Sequence, residues 1–182
     1  MEGFGFTPLD LERAAMQAVT IWVNNPPILC RNPYDPTGGP VVPTVYQGRI
    51  PSAEAGPDNP ESGPPLYKAP SIAVCCYATA YKRESGIGTL HFAILTWDDD
   101  LTRNGYEDVS NIINRIVFGF YEHGVLGQSF ILLDETVHGD VILDPSVDFF
   151  GYFLGSVEAK FGLMTPGINE GPLYGSQDFT AT

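Results

Sequence analysis

The sequence predicts an α+β domain: a mixed, largely antiparallel sheet of roughly four to five strands packed with two helices, plus a long Pro/Gly-rich loop. Three observations lead there. Two segments place apolar residues at helical spacing between recognisable start and stop signals, one from Thr7 and one from Asn104. Residues 69–97 and 130–161 alternate in short runs rich in aromatic and β-branched residues, as strands do. Residues 26–70 hold most of the chain's 16 prolines and show little periodicity.

The first helix starts at Thr7, with Pro8 at the first helical position and Asp10 completing a T-x-x-D cap. Leu11, Ala14, Ala15, Ala18 and Trp22 make one face; Asp10, Arg13, Gln17, Thr20 and Asn24 make the other. Pro26-Pro27 ends it, because neither ring nitrogen donates a hydrogen bond and Asn25 is driven towards an extended conformation. In the loop that follows, Val45-Tyr46 is a strand-like island between Pro43 and Ile50. Two readings of this loop stand: a solvated excursion, or an arm that orders against a partner with its prolines limiting the entropy lost.

Ile72, Val74 and Cys76 share one face of the next strand and Ala73, Cys75 and Tyr77 the other, so both faces look covered. Lys82 to Gly88 turns a hairpin, and the return strand sets Leu90, Phe92 and Ile94 against His91, Ala93, Leu95 and Trp97. The second helix is the best-specified element. Asn104 with Glu107 forms a capping-box pattern, and Val109, Ile112, Ile113, Ile116 and Phe120 make the stripe, with Tyr106 in line above. His123 then precedes Gly124, the residue best able to take a left-handed stop, and Val125 is expected to fold back on Phe120. Phe130–Leu133 and Val141–Leu143 read as short strands around a polar turn at Glu135–Asp140. The last strand runs from Phe149 to Phe161, where Gly151 and Gly155 mark a bulge or a close backbone approach. The whole reads as one domain over 1–165, with a loose tail at 166–182.

The 182 residues are 43% hydrophobic, enough for a real core. A formal net charge of −13 opposes binding nucleic acid through its phosphates, which needs clustered Lys and Arg. No apolar run reaches the ~20 residues of a membrane span, and the first residues lack the layout of a secretory signal. Three cysteines, two of them adjacent at Cys75 and Cys76, make no disulfide framework, so a reducing cytosol is the simplest compartment.

Catalytic signals are sparse. Asp98-Asp99-Asp100 has no further ligand spaced to complete a cation shell and reads first as a solvated acidic turn. His91 reads as a half-buried strand residue, His123 as a helix C-terminal cation, and His138-Gly139-Asp140 as turn chemistry. No G-x-S-x-G, H-E-x-x-H, C-x-x-C or P-loop pattern occurs. A Cys–His pair using Cys75 or Cys76 remains an alternative, a small cytosolic hydrolase, although nothing marks those thiols as acidified. Phe118 stands on the ridge of Glu107, Asn111, Arg115 and Glu122, which ought to face solvent. It reads either as a stray exposed aromatic or as an interface anchor, with Arg115 a turn before it, Glu122 a turn after it, and Gly119 opening the backbone beside it.

Several short motifs, taken in order, resemble the tail-terminator (tail completion) proteins of tailed bacteriophages. They are Val45-Tyr46-Gln47-Gly48, Pro70-Ser71-Ile72-Ala73-Val74, Trp97-Asp98-Asp99-Asp100, Asn104-Gly105-Tyr106-Glu107-Asp108-Val109 and Asn111-Ile112-Ile113-Asn114-Arg115-Ile116. Val125-Leu126-Gly127 and Phe150-Gly151-Tyr152-Phe153 follow in the same order, so the likeness spans most of residues 9–165. The Pro-rich segment after Gly48 and the tail after Thr165 are long for that family. The resemblance implies a virion subunit, assembled in the host cytoplasm, with no active site and no cofactor. Such a subunit forms a ring, commonly a hexamer, on the head-proximal end of the tail tube. The ring stops tube growth and offers a surface to the head–tail connector. DNA passes through it without specific binding, and no membrane is involved. A lumen lined by Asp98, Asp99 and Asp100 would repel phosphates. A neck or head–tail joining protein, or a minor tail protein, is the neighbouring alternative. A ligand-binding module unrelated to viruses finds no positive feature.

Overall fold

The computed structural model describes residues 7–33, 38–51, 67–81, 86–98, 104–127, 129–133, 137–142 and 151–163. Asp99, Asp100, residues 82–85 of the turn expected over Lys82–Gly88, and the 166–182 tail lie outside the described residues. The described chain forms α1 (Pro8–Asn24), β1 (Thr44–Gln47), β2 (Ser71–Tyr81), β3 (Gly86–Trp97) and α2 (Asn104–His123). It continues with β4 (Val125–Leu126), β5 (Phe130–Leu132), β6 (His138–Ile142) and β7 (Tyr152–Leu163). The fold is α+β, with both helices packed on one face of a mixed, mostly antiparallel sheet.

Seven strands take part among the described residues, against the four to five expected. The order β1-β2-β3-β7-β5-β4 is completed by β6, which also pairs with β7. One edge of β7 pairs with β3 along its whole length. Its other edge is divided between β6, opposite Leu154–Glu158, and β5, opposite Phe161–Leu163. The expected count left out β4, which is too short to show a period of its own; the strand-like Val45-Tyr46 island is β1. β1 pairs parallel with the start of β2, so part of the Pro-rich segment is sheet edge.

α1 begins as its cap pattern requires. The Thr7 hydroxyl accepts from the Asp10 N–H, and the Asp10 carboxylate accepts from the Thr7 N–H. Its buried stripe is Leu11, Ala14, Ala15, Val19, Trp22 and Val23; Ala18 stands at the margin. Val109, Ile112, Ile113, Ile116 and Phe120 of α2 are all buried, each contributing roughly 1.5–3 kcal/mol of burial before entropy is set against it. Phe120 is the hub. Its ring lies 5.1 Å from Trp22, 5.4 Å from Phe92 and 5.4 Å from Phe161, uniting both helices with β3 and β7. Tyr106, in line by sequence, is exposed; Gly105 faces inward instead, against Phe153.

The helix stops at Gly124, whose φ of +63° is left-handed and whose N–H donates to the Phe120 carbonyl. Val125 does not fold back on Phe120. It is exposed and pairs with Ile131, because β4 begins at once and its ladder fixes the direction of the chain. The last strand shows a close approach rather than a bulge. A Cβ on Gly155 would lie 2.5 Å from Val109 Cγ1, and one on Gly139 2.4 Å from Ile113 Cγ2, so α2 rests almost on the backbone of β7 and β6. Pairing with Ser156–Glu158 of β7 makes His138-Gly139-Asp140 a strand rather than the expected turn.

Candidate functional site

The outer ridge of α2 and the segment after α1 enclose a groove of about 400 Å³, lined by Pro27, Ile28, Leu29, Asn111, Asn114, Arg115 and Phe118. Phe118 is 68% exposed, so the aromatic expected on the wet ridge does face outward. Leu29 is exposed beside it in the same groove, and Tyr121, three residues on, carries the apolar surface one turn further. Beyond the helix end, Val125 and Ile131 form an exposed cross-strand pair. Leu29 and Tyr121 were not singled out in sequence. Tyr121 was legible from its spacing to Phe118, whereas nothing local tells that Leu29 lies against α2.

Arg115 serves the fold. Its Nη1 donates to the carbonyls of Trp22 at 2.9 Å, Pro26 at 3.0 Å and Asn25 at 3.3 Å. α1 has no basic residue in its last turn, so this guanidinium supplies the positive charge that its C-terminal carbonyls favour. Arg115 therefore shapes the groove wall while being held within the subunit. Glu122 is exposed on the same helix. Gly119 is buried rather than open: a Cβ there would lie 2.5 Å from the Trp22 ring, so it admits Trp22 and does nothing for Phe118.

Asp98 corrects the acidic-lumen expectation for that residue alone, since Asp99 and Asp100 lie outside the described residues. Its side chain is 1% exposed and its Oδ1 accepts from Arg31 Nη1 at 2.7 Å, in an ion pair whose arginine is 38% exposed. Its N–H donates to the Gly151 carbonyl, which fixes the end of β3. A carboxylate so placed cannot line a channel. Next to it, the half-buried Asp108 accepts from the Cys30 thiol and from the Arg31 N–H. Burial, with Asp98 and Glu107 nearby, pushes Asp108 up to about 6. The Cys30 thiol is pushed up to about 12 by burial and by the Asp108 carboxylate. These contacts clamp residues 30–31 to the first turn of α2 and the end of β3.

The Cys–His alternative acquires a geometry. Cys75 stands opposite His91 in the β2–β3 ladder, and Glu158 stands opposite both His91 and His138. The Tyr77 hydroxyl donates to Glu158, and its ring meets His91 edge-on at 5.8 Å. Burial and the Glu12 carboxylate push the Cys75 thiol up, away from the thiolate that nucleophilic attack needs. His123, expected to act as a helix C-terminal cation, stacks on Trp22 at 5.6 Å. Among the described residues no group of three or more His, Cys, Asp or Glu side chains is placed to hold a metal ion. No helix among them is long and apolar enough to cross a membrane. Comparison with protein-family models and with curated proteins finds no match.

Proposed function

We propose that the protein is a structural subunit of a phage virion. It assembles as a ring, hexameric by the resemblance described above, on the head-proximal end of the tail tube, stops tube elongation and presents the surface for head–tail joining. It is not an enzyme in this reading and takes no cofactor. Its partners are further copies of itself, the tail tube protein and the connector. The observation that supports assembly is Phe118, an aromatic 68% exposed that lines an outward groove together with Leu29. Aromatic anchors in such settings carry a disproportionate share of interface energy. The position in the virion rests on the ordered motifs of the sequence.

The test is Phe118→Asp. It should abolish the ring in sedimentation and negative-stain images while leaving the far-ultraviolet circular dichroism of the monomer unchanged. Retained rings would remove Phe118 from the interface. With a net charge of −13 per subunit, raising salt should favour assembly by screening repulsion, and a ring that dissociates in moderate salt would count against the reading. In a phage that encodes it, depletion should give overlong or unjoined tails; tails of normal length beside filled heads would favour a neck protein.

A further inference from the structure

β1 and β6 each have one edge that no other described strand occupies: β1 pairs only with β2, and β6 only with β7. They lie at opposite ends of the same rows. One row runs Val45, Ile72, Ile94, Gly155, Val141, and the next Tyr46, Ala73, Ala93, Ser156, Asp140. β1 is parallel to β2 and every later step across the row is antiparallel, so β1 and β6 run in opposite directions.

The open edge of β1 has its hydrogen-bonding groups in place. Thr44 and Gly48 donate to the Pro70 and Val74 carbonyls across the β1–β2 ladder, which leaves the intervening Val45 N–H and C=O aimed at the open side. Elsewhere the fold caps its edge. Where β2 runs on past β1, the Cys76 N–H donates to Glu12 Oε1 at 2.7 Å, and Glu12 Oε2 accepts from Gln47 Nε2. Neither β1 nor β6 carries the Lys or Pro that commonly blunts an exposed edge.

We propose that β6 of one copy adds antiparallel to β1 of the next, joining the sheets of adjacent subunits into one ladder. The strands match in length, at 4 and 5 residues, and the uncharged Thr44–Gln47 edge does not repel Asp140. Pairing β6 with β6 would instead bring two copies of Asp140 close together. Because the two edges differ, the contact is head to tail. It closes a ring or extends a filament and does not stop at a two-fold dimer. Main-chain bonds supply the affinity, as in other strand additions. The inference rests on the self-association in the ring reading and adds a sheet contact to the Phe118 contact.

Cysteine cross-linking of the full chain tests it. Thr44→Cys is combined in turn with His138→Cys, Asp140→Cys and Ile142→Cys. All four positions are exposed, and the three on β6 share one face of the sheet, so a stagger of two residues is covered. After oxidation, one pair should give a non-reducing gel ladder climbing to the full subunit number, while the single variants give none. Val45→Pro removes the outward donor and leaves the β2 ladder, so it should sediment as a folded monomer. If Val45→Pro does not fold, the cross-links decide alone. Wild-type rings with no cross-link from any pair overturn the inference and leave the ring reading standing. A wild type that stays monomeric at every concentration and salt overturns both.

Discussion

Replacing Arg115 separates a fold-supporting role from an interface role. In Arg115→Ala, the carbonyls of Trp22, Asn25 and Pro26 lose their shared donor at the end of α1. One Nη1 carries two hydrogens, so two bonds' worth of interaction is removed, not three. Hydrogen bonds to a charged group contribute roughly 1.5–3 kcal/mol each when sheltered. Two of these acceptors sit in exposed surroundings, where water replaces much of what is lost. Adding a modest term for the helix C-terminus gives a net loss of about 2–3 kcal/mol. For a chain of this size that corresponds to a fall in Tm of roughly 4–12 °C. The assay is thermal unfolding followed by circular dichroism, on dilute monomer so that assembly does not contribute. Arg115→Lys keeps the charge without the planar fork and should fall between the two. A Tm within about 1 °C of wild type, together with loss of the ring, would refute the capping argument and return Arg115 to the interface.

Further outcomes follow from the same geometry. Gly119→Ala should lower stability by about 1–2 kcal/mol in urea unfolding, because the added methyl meets the Trp22 ring and that strain exceeds the gain in helix propensity; an equally stable variant would contradict it. Asp108 titrates near 6 in the folded chain against an ordinary value of 3.8, so the folded state holds the proton more tightly than the unfolded one. Its contribution to stability is then greatest at low pH and is lost as pH rises from about 4 to 6. The full shift would correspond to about 3 kcal/mol, and solvent screening of this half-exposed group reduces that to roughly 1–2 kcal/mol. Asp108→Asn should therefore gain that amount over wild type at pH 8 and nothing near pH 4, and equal gains at both would show that ionisation is not the cause.

Both helices were legible because their signals are local. A cap spans four residues, a stop about as many, and a stripe repeats within a turn, so Thr7, the Ile112–Phe120 face and Gly124 carry their meaning in sequence. The alternation of β2, β3 and β7 was legible for the same reason. The outward placement of Phe118 also followed from helical spacing alone. What surrounds it did not. Arg115 reaches Trp22 across 93 positions, and Arg31 reaches Asp98 across 67, so no pattern along the chain marks either contact. Those contacts make the ridge arginine a cap for α1 and place Asp98, expected in a lumen, in a part-buried ion pair. Strand number was likewise decided in three dimensions. The Val45-Tyr46 island was visible in sequence, but its pairing with β2 was not, and β4 is too short to announce itself and exists because β5 supplies its ladder. Sequence thus determined the class of fold and the faces of its regular elements, where the physics acts within a few residues. Tertiary structure alone decided which polar groups are satisfied inside the subunit and which strand edges no other described strand occupies, since both depend on partners distant in the chain.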